Sequence, residues 1–157
     1  MHMKDLGKYR FFCNDKILSM DNVLSVGWLD KKYKYTTGHV DSYLTEKLLL
    51  LMFEHKQVIV NQTRGLHLCD MCVGRSVDRV VAAHYKERRI YLGTAQIWLP
   101  AQNNQILAAP TLIYHYIQKH DYLPPPIFLD ALSEYQPNFD WNGQAIYDKL
   151  YKESCAR

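Results

Sequence analysis

Residues 65–72 read Gly-Leu-His-Leu-Cys-Asp-Met-Cys, and this stretch carries the strongest chemical signal in the chain. It holds two thiols separated by two residues, Cys69 and Cys72, and one imidazole, His67, two positions before them. A Cys-x-x-Cys turn can bring both sulfurs to about 2.3 Å from one ion, and zinc accepts thiolate and imidazole ligands together. We therefore predict a Zn²⁺ site to which this stretch supplies three ligands.

A closed tetrahedral zinc site needs a fourth ligand, from elsewhere in the chain or from water. We favour His115, because it leaves the apolar stripe of a helix predicted over 111–120. His120 is the next candidate, although its place on that stripe near the helix end is typical of a hydrogen-bonded core histidine. Cys13 resembles a small buried hydrophobe among aromatic residues, and Cys155 lies near a terminus where chains fray.

The cysteines are interpreted together with the absence of targeting signals. The segment 1–5 has no apolar signal sequence, and no apolar run approaches the length of a membrane span. We therefore expect a cytoplasmic protein, in which Cys-x-x-Cys indicates metal or redox chemistry and not a structural disulfide. A redox dithiol is less favoured, because that motif usually opens a helix after a βαβ strand and would leave His67 unexplained.

Length and composition are those of an ordinary globular protein. The 157 residues predict a single domain over 1–157, with a core at about 24–132 and a C-terminal helical extension over 136–157. A formal charge of +3 is only mildly basic, so we expect no nucleic-acid partner. Tyrosine is abundant, with 12 residues, and its amphipathic ring suits pocket walls and interfaces as well as the edge of a core.

Hydrophobic periodicity predicts an α+β fold: a small antiparallel β-sheet packed with three to four helices around the zinc knuckle. Pro110 is predicted to open the helix that runs to residue 120, and Gly74 to adopt a positive φ after the knuckle. The remaining predicted helices are 40–55, a segment from the prolines to 135, and 142–155. The predicted strands are 8–13, 23–29, 57–60 and a meander over 77–109.

Several motifs together resemble a known family. They are residues 26–30 (Val-Gly-Trp-Leu-Asp), the loop from Arg64 to Cys72, and residues 108–117 (Ala-Ala-Pro-Thr-Leu-Ile-Tyr-His-Tyr-Ile) followed by His120. The chain resembles a family of small, uncharacterised bacterial proteins with an H-x-C-x-x-C motif and a downstream A-P-x-L-I-x-H-Y segment. The resemblance brings no established activity. It implies that His67, Cys69 and Cys72 share a site with a histidine of the 110–120 helix.

The first functional hypothesis is a zinc-stapled interaction protein. The four ligands would close the site and join the knuckle to the helix, leaving an aromatic surface for a protein partner or a small ligand. That surface is expected around Trp28, Trp98, Tyr114 and Tyr116.

The alternative is a zinc hydrolase or deaminase-like enzyme with an open metal position. His115, His120 or Asp30 would then be the proton shuttle, although an Asp that opens a lysine-rich turn is more often a cap. No Glu lies within a few residues of His67, where zinc deaminases carry H-x-E. This absence favours the first hypothesis.

Overall fold

The chain begins with a β-hairpin, β1 (Lys8–Cys13) and β2 (Lys16–Ser25), in the computed structural model, which describes residues 1–137 and 140–157. Side chains of β1 alternate between exposed and buried, as the two-residue period of a strand requires. Asn14 and Asp15 connect the strands with φ of 49° and 63°, values that a type I′ turn needs and that Asn and Asp tolerate. The strand predicted over 8–13 is confirmed.

Three further strands, β3 (Ile59–Val60), β6 (Gln96–Pro100) and β7 (Ile106–Pro110), join the hairpin in the main sheet. Among the described residues this sheet has five strands, in the order β1-β2-β7-β6-β3. β2 and β7 pair in parallel, whereas the other neighbours are antiparallel. The sheet is therefore mixed, and the predicted antiparallel arrangement was wrong for the β2–β7 pair. The alternation of side chains along a strand does not depend on the direction of its neighbour, so the sequence pattern could not indicate this parallel pairing.

The predicted meander over 77–109 divides into separate parts. β4 (Ala82–Tyr85) and β5 (Arg88–Tyr91) form their own two-stranded sheet, and only β6 and β7 join the main one. A 3₁₀ turn, Ser76–Arg79, precedes β4, and another, Lys56–Val58, precedes β3.

Four helices complete the fold: α1 (Ser42–Glu54), α2 (Ile113–His120), α3 (Pro126–Glu134) and α4 (Gly143–Cys155). Each matches a predicted helix, and the predicted α+β class is confirmed. Pro110 does not open α2 as predicted, because it is the last residue of β7, opposite Gln96 at the end of the ladder. Its missing N–H is tolerated at that position.

The main sheet is covered on both faces. Along β6, Ile97 and Leu99 pack into the core cluster that holds the buried residues of α1, α2 and α3, whereas Trp98 packs into a second cluster beneath α4. Successive side chains of a strand point to opposite faces, so one short strand contributes to both cores. The loop that carries the Cys-x-x-Cys motif lies on the same side of the sheet as α1 to α3, since Cys69 belongs to the first cluster.

The C-terminal helix is covalently linked to the hairpin. Cys13, the last residue of β1, forms a disulfide with Cys155 in the last turn of α4, with a Cα–Cα distance of 6.2 Å. The sequence predicts Cys13 as a small buried hydrophobe and Cys155 as part of a fraying terminus, whereas the structure joins the two in a covalent bond. The predicted extension 136–157 includes positions 138 and 139, which lie outside the described residues. Within the described ranges, none of the helices has the length and apolar character needed to cross a bilayer.

Candidate metal centre

The loop that carries the Cys-x-x-Cys motif has almost no core of its own. Its residues Asn61 to Val80, which are followed by the buried Val81 before β4, have no regular structure besides the single 3₁₀ turn at 76–79. Cys69 is the one buried residue in this range, and the other residues are half-buried or exposed. A segment of this length in a compact domain needs another source of order, and the thiol of Cys69 is its inward anchor.

Hydrogen bonds shape the turn around Cys69. The Cys69 N–H donates to the carbonyl of Arg79 at 3.2 Å, and Arg79 Nε donates to the carbonyl of Cys69 at 3.1 Å. The backbone amides of Met71 and Cys72 point at the Cys69 sulfur. Gly74 has a φ of 124°, as predicted for a glycine two residues beyond the second sulfur. These contacts are typical of a knuckle built around a thiolate.

Helix α2 supplies two histidines to the knuckle. His115 and His120 are five positions apart, which places them about 140° apart around an ideal helix, with Tyr116 between these two directions. The imidazole of each reaches a cysteine sulfur of the knuckle. The helix ends directly after His120, where Asp121 adopts a left-handed φ of 53°. His120 is half-buried and contacts the cysteines of the knuckle. It is therefore not the core histidine that is typical of its position on the apolar stripe.

The donor atoms of Cys69, Cys72, His115 and His120 all lie within 4.8 Å of one another. His115 Nε2 lies 3.2 Å from the Cys72 sulfur, and His120 Nε2 lies 3.5 Å from each of the two sulfurs. Both thiols are free, in contrast to the paired Cys13 and Cys155. This Cys₂His₂ cluster could hold a metal ion.

The surroundings of the cluster disfavour protonation of its two imidazoles, those of His115 and His120. Burial, assisted by the charges of His120 and Lys119, lowers the pKa of His115 to about 4. Burial and Lys119 also lower the pKa of His120. Burial raises the pKa of the Cys69 thiol to about 11, against the hydrogen bonds from the backbone amides. The imidazoles are therefore neutral and able to donate a lone pair, whereas the metal-free Cys69 carries its proton.

His67, predicted as a ligand, lies outside this cluster. Its N–H donates to the carbonyl of Gly93 at 2.9 Å, which holds the loop against the end of β5. Its exposed side chain lines a cleft of about 210 Å³ together with Trp28, Leu29 and Tyr116. The sequence-predicted set thus separates into three residues that meet and one that lines the neighbouring cleft.

Asp30 caps a turn, as its position favoured. Its Oδ1 accepts a hydrogen bond from the N–H of Lys32 at 2.8 Å. In the knuckle, Asp70 Oδ2 accepts from the N–H of Lys31 at 3.4 Å, which connects the two loops. Burial raises the pKa of Tyr116, and the two knuckle cysteines and both carboxylates add to this effect. Tyr116 therefore lies where the knuckle, the 30–33 turn and α2 meet.

The predicted aromatic surface is not formed as expected. Trp98 and Tyr116 are 0% and 3% exposed, so they are core residues and offer no surface to a protein partner. Trp28 and Tyr114 are half-buried. The Trp28 indole N–H donates to the carbonyl of Ala108 at 2.9 Å, which fixes its ring at the wall of the cleft. The aromatic residues thus provide a small cleft and not an extended patch.

Comparison with protein families places most of the chain in one of them. A family model, described as a domain of unknown function (DUF7919), matches residues 1–133. No curated protein and no solved structure is significantly similar to the chain. The matched range includes all four residues of the cluster and leaves α4 outside. It confirms the expectation of an uncharacterised family, and the chain belongs to the DUF7919 family.

Proposed function

We propose that the protein binds one Zn²⁺ through Cys69, Cys72, His115 and His120, and that this ion is a structural staple between the knuckle and α2. The observation that carries the proposal is the convergence of four donor atoms, two sulfurs and two nitrogens, within 4.8 Å of one another. Both kinds of donor suit zinc. They come from two separate elements, since Cys72 and His115 are 43 residues apart. In this ligand set His120 takes the place that His67 had in the sequence-based prediction.

The distances support a tetrahedral site. With Zn–S near 2.3 Å and Zn–N near 2.0 Å, tetrahedral geometry separates a sulfur from a nitrogen by about 3.5 Å. Three of the four sulfur-to-nitrogen distances are 3.2, 3.5 and 3.5 Å, and the fourth, between Cys69 and His115, is at most 4.8 Å. Small side-chain rotations therefore suffice to seat the ion, and a set of two sulfurs with two nitrogens favours zinc over hard cations such as Mg²⁺ or Ca²⁺.

Charge balance also supports zinc. Two thiolates and two neutral imidazoles give a complex with Zn²⁺ that has no net charge, which is the least costly arrangement in a partly buried site. The low pKa of His115, caused first by burial, keeps its imidazole neutral at physiological pH. The ion would hold the thiols in their deprotonated form and supply four strong bonds.

A structural role follows from the loop that carries the cysteines. Residues 61–80 bury one side chain, that of Cys69, so apolar packing contributes little to their order. A metal bond at Cys69 and Cys72 would replace the missing core and connect the loop to α2. The open-position alternative, a hydrolase or deaminase, is less supported, because a fourth protein donor is available within reach of the same ion.

We further propose that the staple shapes a binding cleft for a small ligand. The cleft of about 210 Å³ takes His67 from the loop and Tyr116 from α2, the two elements that the ion would join. Trp28 forms a fixed aromatic wall. The volume suits a small, partly planar molecule. Ligand-observed NMR with a fragment library tests this: hits that compete with one another in the zinc-loaded protein and disappear on Trp28→Ala support the cleft, and an absence of hits contradicts it.

The staple is tested by metal removal. Chelation with excess EDTA is expected to speed amide hydrogen exchange in peptides from 61–80 and to lower the melting temperature, while peptides from α4 exchange as before. Re-addition of one equivalent of Zn²⁺ should restore both. An unchanged melting temperature, together with unchanged exchange in the loop, would show that the ion is not a staple.

A further inference from the structure

Helix α4 covers the face of the main sheet opposite α1, α2 and α3. Its apolar side chains pack against the second core cluster, and two aromatic pairs dominate the contact. The Tyr147 ring lies 5.5 Å from that of Trp98, and the Tyr151 ring lies 5.3 Å from that of Phe11. The face beneath the helix is therefore strongly aromatic. The α4 residues in contact are Ile146, Tyr147, Leu150, Tyr151 and Cys155.

The attachment of α4 is deep only at its first turn. Gly143 is the one buried residue of the helix, and a Cβ atom there would lie 2.8 Å from Cγ2 of Val60. The Gln144 side chain exchanges hydrogen bonds with the N–H and the side chain of Asn61 at 2.6 and 3.2 Å. The rest of the helix rests on side chains that are only partly buried.

The C-terminal half of α4 is held by the partly buried side chains of Leu150 and Tyr151 and by the disulfide to Cys13. An ion pair between Arg157 and Asp21, at 3.3 Å, is largely exposed and contributes little. A helix of 13 residues is marginally stable when it is not packed. Loss of the Cys13–Cys155 bond therefore leaves this end held by partly buried side chains and one exposed ion pair.

The limit of the family match separates the two partners of the disulfide. Cys13 and the aromatic sheet face lie within residues 1–133, whereas α4 and Cys155 lie beyond the matched range. The helix thus lies beyond the matched range and is covalently fastened to a residue within it. The knuckle thiols, Cys69 and Cys72, are free and belong to the other core cluster.

We propose that α4 is a redox-locked cover over the aromatic sheet face, and that thiol–disulfide exchange at Cys13–Cys155 opens and closes the lock. A dithiol reductant supplies the two electrons and two protons. One of its thiolates attacks a sulfur of the pair to give a mixed disulfide, and its second thiol resolves that bond. The products are the Cys13 and Cys155 thiols and the oxidised reductant, so atoms and electrons balance.

Opening exposes apolar surface to a partner or to solvent. The residues uncovered include Tyr9, Phe11 and Trp98, all of which are buried beneath α4. The disulfide spans 142 residues of sequence, a separation at which chain-entropy arguments assign a large effect to the bond. We expect amides of α4 to exchange about 30-fold faster or more without the bond.

The test compares hydrogen exchange in peptides from 143–157 of wild-type protein and Cys155→Ser, both without reductant. The variant is expected to exchange faster in α4, with α1 unchanged, and Cys13→Ser should reproduce this result. Ser154→Ala is the matched control, since it changes the neighbouring residue and keeps the bond. Wild-type protein treated with tris(2-carboxyethyl)phosphine provides the same comparison without any substitution, should a variant fold poorly.

Two results would overturn the proposal. One is equal exchange of α4 in locked and unlocked protein, which would show that the disulfide does not control the cover. The other is recovery of Cys13 and Cys155 as free thiols, by alkylation and mass spectrometry, after equilibration of the native protein with glutathione disulfide. Neither result bears on metal binding, which involves different cysteines.

Discussion

His115 Nε2 lies 3.2 Å from the sulfur of Cys72, although the two residues belong to different elements and are 43 positions apart. This contact joins an irregular loop to a regular helix at the cluster proposed to bind zinc. His120 approaches the same sulfur at 3.5 Å from the end of that helix. The proposed site therefore depends on α2 as much as on the Cys-x-x-Cys motif.

The two histidines of α2 are expected to contribute comparably to zinc affinity. Replacement of either, as His115→Ala or His120→Ala, removes a ligand and should weaken binding by more than about 100-fold, beyond the loss of an outer-shell partner. Competition with a chromogenic chelator measures the affinity. His39→Ala is the control, because His39 is exposed on a surface loop. An unchanged affinity in the His120 variant would exclude that residue from the site.

His67 provides a direct comparison between sequence-based and structure-based ligand sets. The variant His67→Ala is expected to bind zinc within about threefold of wild type, since its side chain lines the cleft and lies outside the cluster. The same competition assay reports this. A loss as large as that for His115→Ala would return His67 to the ligand set.

Gly93 is expected to be essential for docking the loop. Its φ is 87°, and a Cβ atom there would collide with the carbonyl oxygen of His67. Gly93→Ala should lower the free energy of unfolding by about 3 kcal/mol, through strain at this φ and displacement of the loop. Gly65→Ala, within the docked loop itself, is the control, because no atom beyond its chain neighbours lies within 4 Å of its Cβ position. Its expected change is at most about 1 kcal/mol, measured by urea denaturation. Equal effects would contradict the proposed docking.

Zinc affinity is expected to fall as the pH falls. Burial raises the pKa of Cys69 to about 11, so its thiol is protonated in the metal-free protein and binding must displace that proton. Release of a proton from each thiol would change affinity by up to about 100-fold per pH unit. The imidazole of His115, with a pKa lowered to about 4 by burial, does not add to this dependence between pH 6 and 8. Calorimetry in buffers of different ionisation enthalpy counts the released protons. A pH-independent affinity would contradict thiolate ligation.

Local patterns predicted most of the elements. The alternation of β1 and the apolar periodicity of α1 are properties of neighbouring residues, and both elements form where the patterns indicate. The parallel pairing of β2 with β7 and the Cys13–Cys155 bond depend on residues that only the complete fold brings together. No local pattern could have predicted either contact.

The cluster shows the same division. The Cys-x-x-Cys motif identified two of its members, and departure from the apolar stripe identified His115. The same stripe makes a core position the ordinary expectation for His120 and leaves it second to His115 as a ligand, but the stripe turns toward the knuckle at the end of α2. His67 was favoured by proximity in sequence, and the direction of an irregular backbone is not encoded in spacing. A predicted ligand set with the two cysteines and both histidines of α2 would have matched the full cluster.

X-ray absorption spectroscopy at the zinc K-edge, on protein purified without added metal, tests the central claim most directly. The account predicts one zinc per chain with two sulfur ligands near 2.3 Å and two nitrogen ligands near 2.0 Å. Loss of one nitrogen ligand in His120→Ala would assign the fourth position. Protein that contains no zinc, or zinc with a persistent oxygen ligand in place of the second imidazole, would contradict the account.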